Sequence, residues 1–241
     1  MSDWKIRRFW SSATVAPSEA GYAVLLDTRP VRTPAKAALA VPTVQMAQAI
    51  AAEWDAQTGT VNPEKMPVTR GANAAIDKVA QQRGEVVAML AGYGDSDLTC
   101  YRAAQPQELV ARQAEAWDPL LDWAHATYGA RLHAVQGVMH KPQSPQHLAR
   151  LTAPLETMTA FELVAMHDLI SLSGSLVIGL AASVAAMPVD VLWDRSRIDE
   201  DWQAEQWGVD DEAAAQAMQK SAAFRNAARF LALARGQASS S

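Results

Sequence analysis

Cys100, in the run Asp97-Leu-Thr-Cys-Tyr-Arg102, is the chain's one cysteine and the first residue to consider for chemistry. As a thiolate it would be a nucleophile; as a neutral thiol it is a small apolar side chain of the kind usually found buried. The buried thiol is the expectation. A single cysteine makes no intrachain disulfide and no metal site built from thiolates, which fits a reducing compartment. Among the five histidines, His125, His133, His140 and His147 follow one another at seven or eight residues, the spacing of a helical stripe of ligands. Gly137, Pro142 and Pro145 interrupt that stripe and His167 stands apart from it, so no metal is expected. Asp95 and Asp97 are close enough to act as a carboxylate pair. Their expected role is to cap the segment that follows and bond local backbone amides, with an ion pair to Arg102 as a further option. The chain has no phosphate loop, no HExxH and no nucleophile elbow, and Gly92-Tyr-Gly94 is a fragment of a dinucleotide fingerprint that follows no strand. No catalytic residue and no cofactor is assigned. A hydrolase or transferase with a site gathered from separate helices stays as the alternative, because such sites are recognised by geometry. A constitutive structural subunit is a third reading.

Two features look like surfaces. The eight tryptophans include the close pairs Trp117 with Trp123 and Trp202 with Trp207. WDPLLDW reads as a core segment. The second pair lies in IDEDWQAEQWGVDDEA, which carries seven acids and, from Ile198 to Gln219, no Lys or Arg. Tryptophan is enriched at interfaces, and an apolar centre with a charged rim suits docking. A solvated helix start accounts for the same residues equally well. Trp202, Glu205, Trp207, Asp210 and Asp211 are the candidate partner-binding residues.

The elements that must position these residues follow from pattern. Composition is globular, 49% hydrophobic and 20% charged, with a net charge of −5. The bases Lys5, Arg7 and Arg8 are scattered, so nucleic acid is not an expected partner. MSDWKIRRFW lacks the apolar stretch of a secretory signal and is short for a transit peptide, and the GQASSS tail is expected to fray. Leu169–Val189 contains no charged residue and is about the ~20 residues a bilayer needs. It holds four serines, two glycines and Pro188, between Asp168 and Asp190 and without flanking Lys or Arg. Ser171, Ser175, Gly179 and Ser183 recur every fourth residue, so the run is expected to be one central helix with a ridge free of bulk, packed inside a soluble bundle.

Before residue 43, short segments punctuated by Gly and Pro predict an antiparallel meander, with Pro30, Pro34 and Pro42 at strand ends or edges. Thr43 is the expected N-cap of a helix with Val44, Ala47, Ala51 and Trp54 on one face and a stop at Gly59. Helices are predicted near 70–82 and 85–93. Pro106 suits the first turn of the next helix, which is expected to kink at Pro119 or to restart there with Asp118 as cap. Thr159-Ala-Phe-Glu162 matches a capping box. The last helix has Asp210, Asp211 and Glu212 at its start and bases toward its end, the polarity a helix dipole favours. The predicted fold is α+β: an N-terminal α/β domain with antiparallel strands and a helix over residues 1–66, and a larger C-terminal all-helical orthogonal bundle over residues 67–236.

The segments RRFW, GYAVLLDTRPVRTPAK, AIAAEWDAQ, NPEKMPVTRGANAAID, YGDSDLTCYRA, WDPLLDW and WQAEQWG, in this order along nearly the whole chain, resemble the Atp12 family of F1-ATPase assembly chaperones. The resemblance implies a small N-terminal α/β domain, a larger helical domain, no enzymatic activity and no nucleotide or metal. It also implies binding to the unassembled F1-ATPase α subunit, which is kept from aggregating until it meets β. The implied setting is the bacterial cytoplasm, without a membrane span, and the protein is expected to act as a monomer. One stretch departs from the eukaryotic pattern. After Trp207-Gly208 the aromatic and His-Asp pair are absent, and Asp211 stands where an acid would fall.

Overall fold

The structure is a computed structural model that describes residues 7–137 and 139–237. Expectations touching residues 1–6, among them Lys5, and the end of the serine tail fall outside these. Four short strands come first: β1 (Ala13–Ser18), β2 (Gly21–Leu26), β3 (Arg29–Pro30) and β4 (Ala40–Val41). The helices α1 (Val44–Asp55), α2 (Pro67–Ala74) and α3 (Arg83–Gly92) follow. Then come β5 (Tyr101–Arg102), α4 (Gln107–Tyr128), β6 (Val135–Gln136), α5 (Pro145–Thr157), α6 (Ala160–Ser173), α7 (Leu176–Ser183), α8 (Val189–Arg195), α9 (Ile198–Trp207) and α10 (Asp211–Ala234). This is the α+β architecture that the sequence pattern predicts. The chain forms two compact units. The first comprises residues up to Arg83, Thr159–Ala165 and Arg229 onward; the second comprises Gly84–Met158 and Met166–Ala228. The first unit therefore runs past residue 66 and takes in two later segments, which local composition does not announce.

In the first unit, β2 is the central strand. It pairs antiparallel with β1 in the register Ala13 with Leu26 through Ser18 with Gly21, and also with β3 and β4. Pro17 and Pro30 sit in strands that flank β2, where a missing donor is tolerated. Helix α1 lies against β1 and β2. Its N-cap is Thr43, whose Oγ1 accepts from Met46 N at 3.1 Å and donates to the Leu233 carbonyl at 2.6 Å. The buried face is Met46, Ala47, Ile50 and Ala51. Val44 and Trp54 are only half-buried, so the apolar stripe is rotated from the predicted one toward the larger side chains. Glu53 of α1 accepts from Val68 N and Thr69 N, each at 2.8 Å, and so caps the start of α2 from a neighbouring helix. Arg8 is a clamp: its guanidinium donates to the Asp55, Gln57 and Ser11 carbonyls. The capping box forms as predicted, with Thr159 N donating to Glu162 at 2.8 Å and Glu162 N to Thr159 Oγ1 at 3.3 Å. Gly236 and Gln237 bond the closing carbonyls of α10, at Leu233 and Ala232.

The second unit is helical apart from a two-residue parallel pairing of β5 with β6. Helix α4 runs unbroken through Pro119; Asp118 is not a cap but pairs with Arg102 at 2.8 Å. Trp117 and Leu120, fully buried on either side of the proline, hold the helix where one backbone bond is lost. The uncharged run Leu169–Val189 is not one helix. α6 ends at Ser173, Gly174 takes a left-handed conformation with φ 68°, and α7 begins after Ser175.

The cause of the break is Asp97. Its carboxylate is fully buried and receives Thr99 N at 3.1 Å, Thr99 Oγ1 at 2.8 Å and Ser175 Oγ at 2.7 Å on one oxygen. Val177 N donates to the other oxygen at 3.0 Å. Ser175 Oγ in turn accepts from Ile178 N at 3.0 Å, and Leu98 N bonds the Gly174 carbonyl at 3.1 Å. A carboxylate and a serine thus satisfy the first amides of α7, groups that a continuous helix would have bonded internally. The predicted ridge of Ser171, Ser175, Gly179 and Ser183 does not exist as one helical face. Only Gly179 works as expected, since a β-carbon there would overlap Ile170 of α6. All of α7 except Ala182 is buried. Among the described residues no helix is long and apolar enough to cross a membrane.

Replacing Asp97 by Asn keeps the oxygen that receives three donors and sets an amide against Val177 N. This should cost about 1–3 kcal/mol, a fall in melting temperature of roughly 2–4 °C per kcal/mol for a chain of this size. Burial, the largest effect, raises the Asp97 pKa above 3.8, with its four donors opposing. The folded value therefore exceeds the unfolded one. The linked stability is fully present below the unfolded pKa and is lost as pH rises through the folded pKa. Thermal melts across acidic pH should show this slope in the native chain and lack it in Asp97→Asn.

Candidate partner-binding surface

The candidate residues lie on α9 and at the start of α10, within the second unit. Helix α8 supplies a fixed base. Trp193 is buried, and Trp117 Nε1 donates to the Arg195 carbonyl at 2.7 Å. Arg197 covers the Trp193 ring and pairs with Glu200 at 2.6 Å. From Arg197 to Lys220 no residue is buried. All of α9 and the first ten residues of α10 therefore form here without contributing to the core, which α10 enters only from Ser221 onward. Asp199, Glu200 and Asp201 in the first turn of α9 suit its dipole.

What holds α9 is polar. Gln113 of α4 donates from Nε2 to Asp199 at 2.6 Å while its Oε1 receives Ala103 N at 2.8 Å. Arg112, one residue earlier, meets both Glu205 oxygens at 2.8 and 2.9 Å and lies over the Trp202 ring, 5.1 Å from its centroid. The hydrogen bonds from Arg112 hold the Glu205 carboxyl below its ordinary value and raise the Arg112 pKa in return. Burial raises that of Asp201, with Arg197 opposing. Trp202 and Glu205 are thus brought together, on one guanidinium.

The remaining candidates are elsewhere. Trp207 ends α9 and is 79% exposed; after Gly208, Val209 is 71% exposed. Asp210 is a helix cap, its Oδ1 receiving Glu212 N at 2.8 Å. Asp211 is exposed in the first turn of α10, and Met218 further along is 69% exposed. The sequence reading missed Arg112 and Met218. Arg112 lies 93 residues from Glu205 and nothing local marks the pair. Met218 was detectable as a large apolar residue between Gln216 and Gln219.

The residues first considered for chemistry have structural roles. Cys100 is buried, and burial followed by the nearby Asp97 charge pushes its thiol up to about 12, so it is protonated at neutral pH. Asp97 caps Thr99 as predicted and α7 as well. Asp95 receives Gln143 N at 2.7 Å and pairs with His140 Nε2 at 3.3 Å; Arg102 pairs with Asp118 instead of either acid. Tyr101 contacts the other His140 nitrogen at 3.0 Å. His167 bonds its neighbour Asp168, which raises its pKa. Among the described residues no group of three His, Cys, Asp or Glu could hold a metal. A depression of about 230 Å³ is lined by Asp118, Leu121, Asp122, His125, Arg131, Leu132 and Ala134. It is smaller than the usual ~300–1,000 Å³ of a small-molecule site.

Comparison with known proteins adds an independent line. The family described as ATP12 chaperone protein matches residues 7–125. The crystal structure of Atp12 from Paracoccus denitrificans is 48% identical, with a TM-score of 0.94 over 97% of this chain and 100% of that one. A point mutant of the same protein, an aspartate changed to lysine, matches equally. A protein from Agrobacterium tumefaciens, described as a candidate chaperone, is 41% identical with a TM-score of 0.90, over 93% of this chain and 85% of that one.

Cys100 should resist alkylation in the native protein at neutral pH and react only after denaturation. Mass spectrometry after iodoacetamide treatment reads this directly, and fast labelling of the folded chain would contradict the burial described.

Proposed function

The chain belongs to the ATP12 chaperone family, and from that membership we propose that it binds the unassembled F1-ATPase α subunit and keeps it from aggregating until α meets β. The family's role is that of an assembly chaperone for ATP synthase. A subunit awaiting its partner exposes apolar surface that the partner will later cover, and such patches drive aggregation. A protecting protein has to offer a surface that covers the patch and leaves again. The observation that carries this reading is the stretch from Arg197 to Lys220, helical and yet without one buried residue. Its exposed Trp207 and Val209 lie among the acids Asp210, Asp211 and Glu212. Trp202 and Glu205 belong to the same region, as the part that fastens α9.

In this reading the protein works by shielding and not by making or breaking bonds. It acts as a monomer in the cytoplasm and uses no cofactor.

Co-expression with the F1 α subunit of the same organism tests it. More α should stay in the supernatant when the chain is present, and α should be retained on the tagged chain. If α is equally soluble without the chain and is not retained, the assignment is wrong.

A further inference from the structure

The core-free stretch divides into an occupied half and an open half. Trp202 and Glu205 are engaged by Arg112, one under the guanidinium and one in a two-point ion pair. Asp199 receives Gln113, Glu200 pairs with Arg197, and Asp210 caps the Glu212 amide. The open half begins at Trp207. Trp207 and Val209 flank Gly208, which has φ 93°, and expose most of their apolar surface at the turn between two helices. Tryptophan is the side chain most often found as a binding anchor, because it buries a large area at a cost of two torsions. Asp211 and Glu212 follow directly, and no Lys or Arg occurs between Ile198 and Gln219. A surface that complements this turn has an apolar groove with a basic rim.

We infer that Trp207 and Val209 are the anchor that enters such a groove on the client, and that Arg112 is a positioning residue that holds α9 through Trp202 and Glu205 so that the anchor is presented. The inference rests on the reading of the client as the F1 α subunit. It separates the five candidate residues into two roles: Trp202 and Glu205 face their own protein, Asp210 shapes the turn, and Trp207 with Asp211 faces the partner.

The experiment uses the full chain and purified α subunit, with association and dissociation rates followed across a salt series. Trp207→Ala should weaken binding about tenfold or more, chiefly through faster dissociation, with an unchanged melting temperature because the side chain is exposed. Asp211→Lys with Glu212→Lys should slow association and remove most of its salt dependence. Arg112→Glu should weaken binding several-fold, and adding Glu205→Arg should restore it by rebuilding the ion pair with its charges exchanged. Equal binding by the native chain and Trp207→Ala overturns the anchor while leaving the proposed function intact. Failure of the charge exchange to restore binding overturns the positioning role of Arg112. If the native chain does not hold α at all, the functional reading fails and this inference falls with it.

Discussion

A carboxylate without water around it organises the helical unit. Burying a charge is expensive unless its hydrogen-bonding capacity is met in full. Asp97 meets that condition through two side-chain hydroxyls and two backbone amides. The arrangement ties the turn at Leu98–Cys100 to the start of α7, about eighty residues later in the chain. It decides where the long apolar stretch is cut, and so which residues α7 presents to the core. With that start fixed, Leu176, Val177, Ile178 and Leu180 are all fully buried, and Gly179 lets Ile170 come close. Cys100 shares the same dry surroundings, so the feature that builds the core also keeps the thiol inert.

The unit's other construction principle is nearly the opposite. α9 is fastened by the buried Gln113 amide and, at the surface, by a guanidinium against an aromatic face and a carboxylate, and it contributes nothing to the core. Contacts of this kind are individually weak and sensitive to solvent. Segments held this way open more easily than core helices. In the proposed shielding role, an element held this way can loosen around a client without unfolding the rest.

Much of this was legible in the sequence. The Thr43 cap, the Thr159–Glu162 box, the hairpin before residue 30 and the acidic start of α10 are local patterns, and each forms from residues within a few positions. The order of motifs along the chain pointed to the family that the comparisons established. What the sequence concealed was non-local. The break at Gly174 depends on an aspartate 77 positions away, and a run without charges offers periodicity no contrast. Asp118 and Pro119 read as a helix start by every local rule, and burial of Trp117 and Leu120 overrides them. Composition marks the five candidates around the α9–α10 turn alike, and it cannot separate a tryptophan lying under an arginine from one facing water.

That last contrast gives the chain an optical asymmetry. Trp10, Trp117 and Trp193 are at most 6% exposed, whereas Trp207 is 79% exposed. Their emission is shielded from dissolved quenchers, and that of Trp207 is open to iodide or acrylamide. The turn between α9 and α10 therefore carries a native fluorophore, and any polypeptide that covered this turn would change its emission and could be followed without attaching a dye.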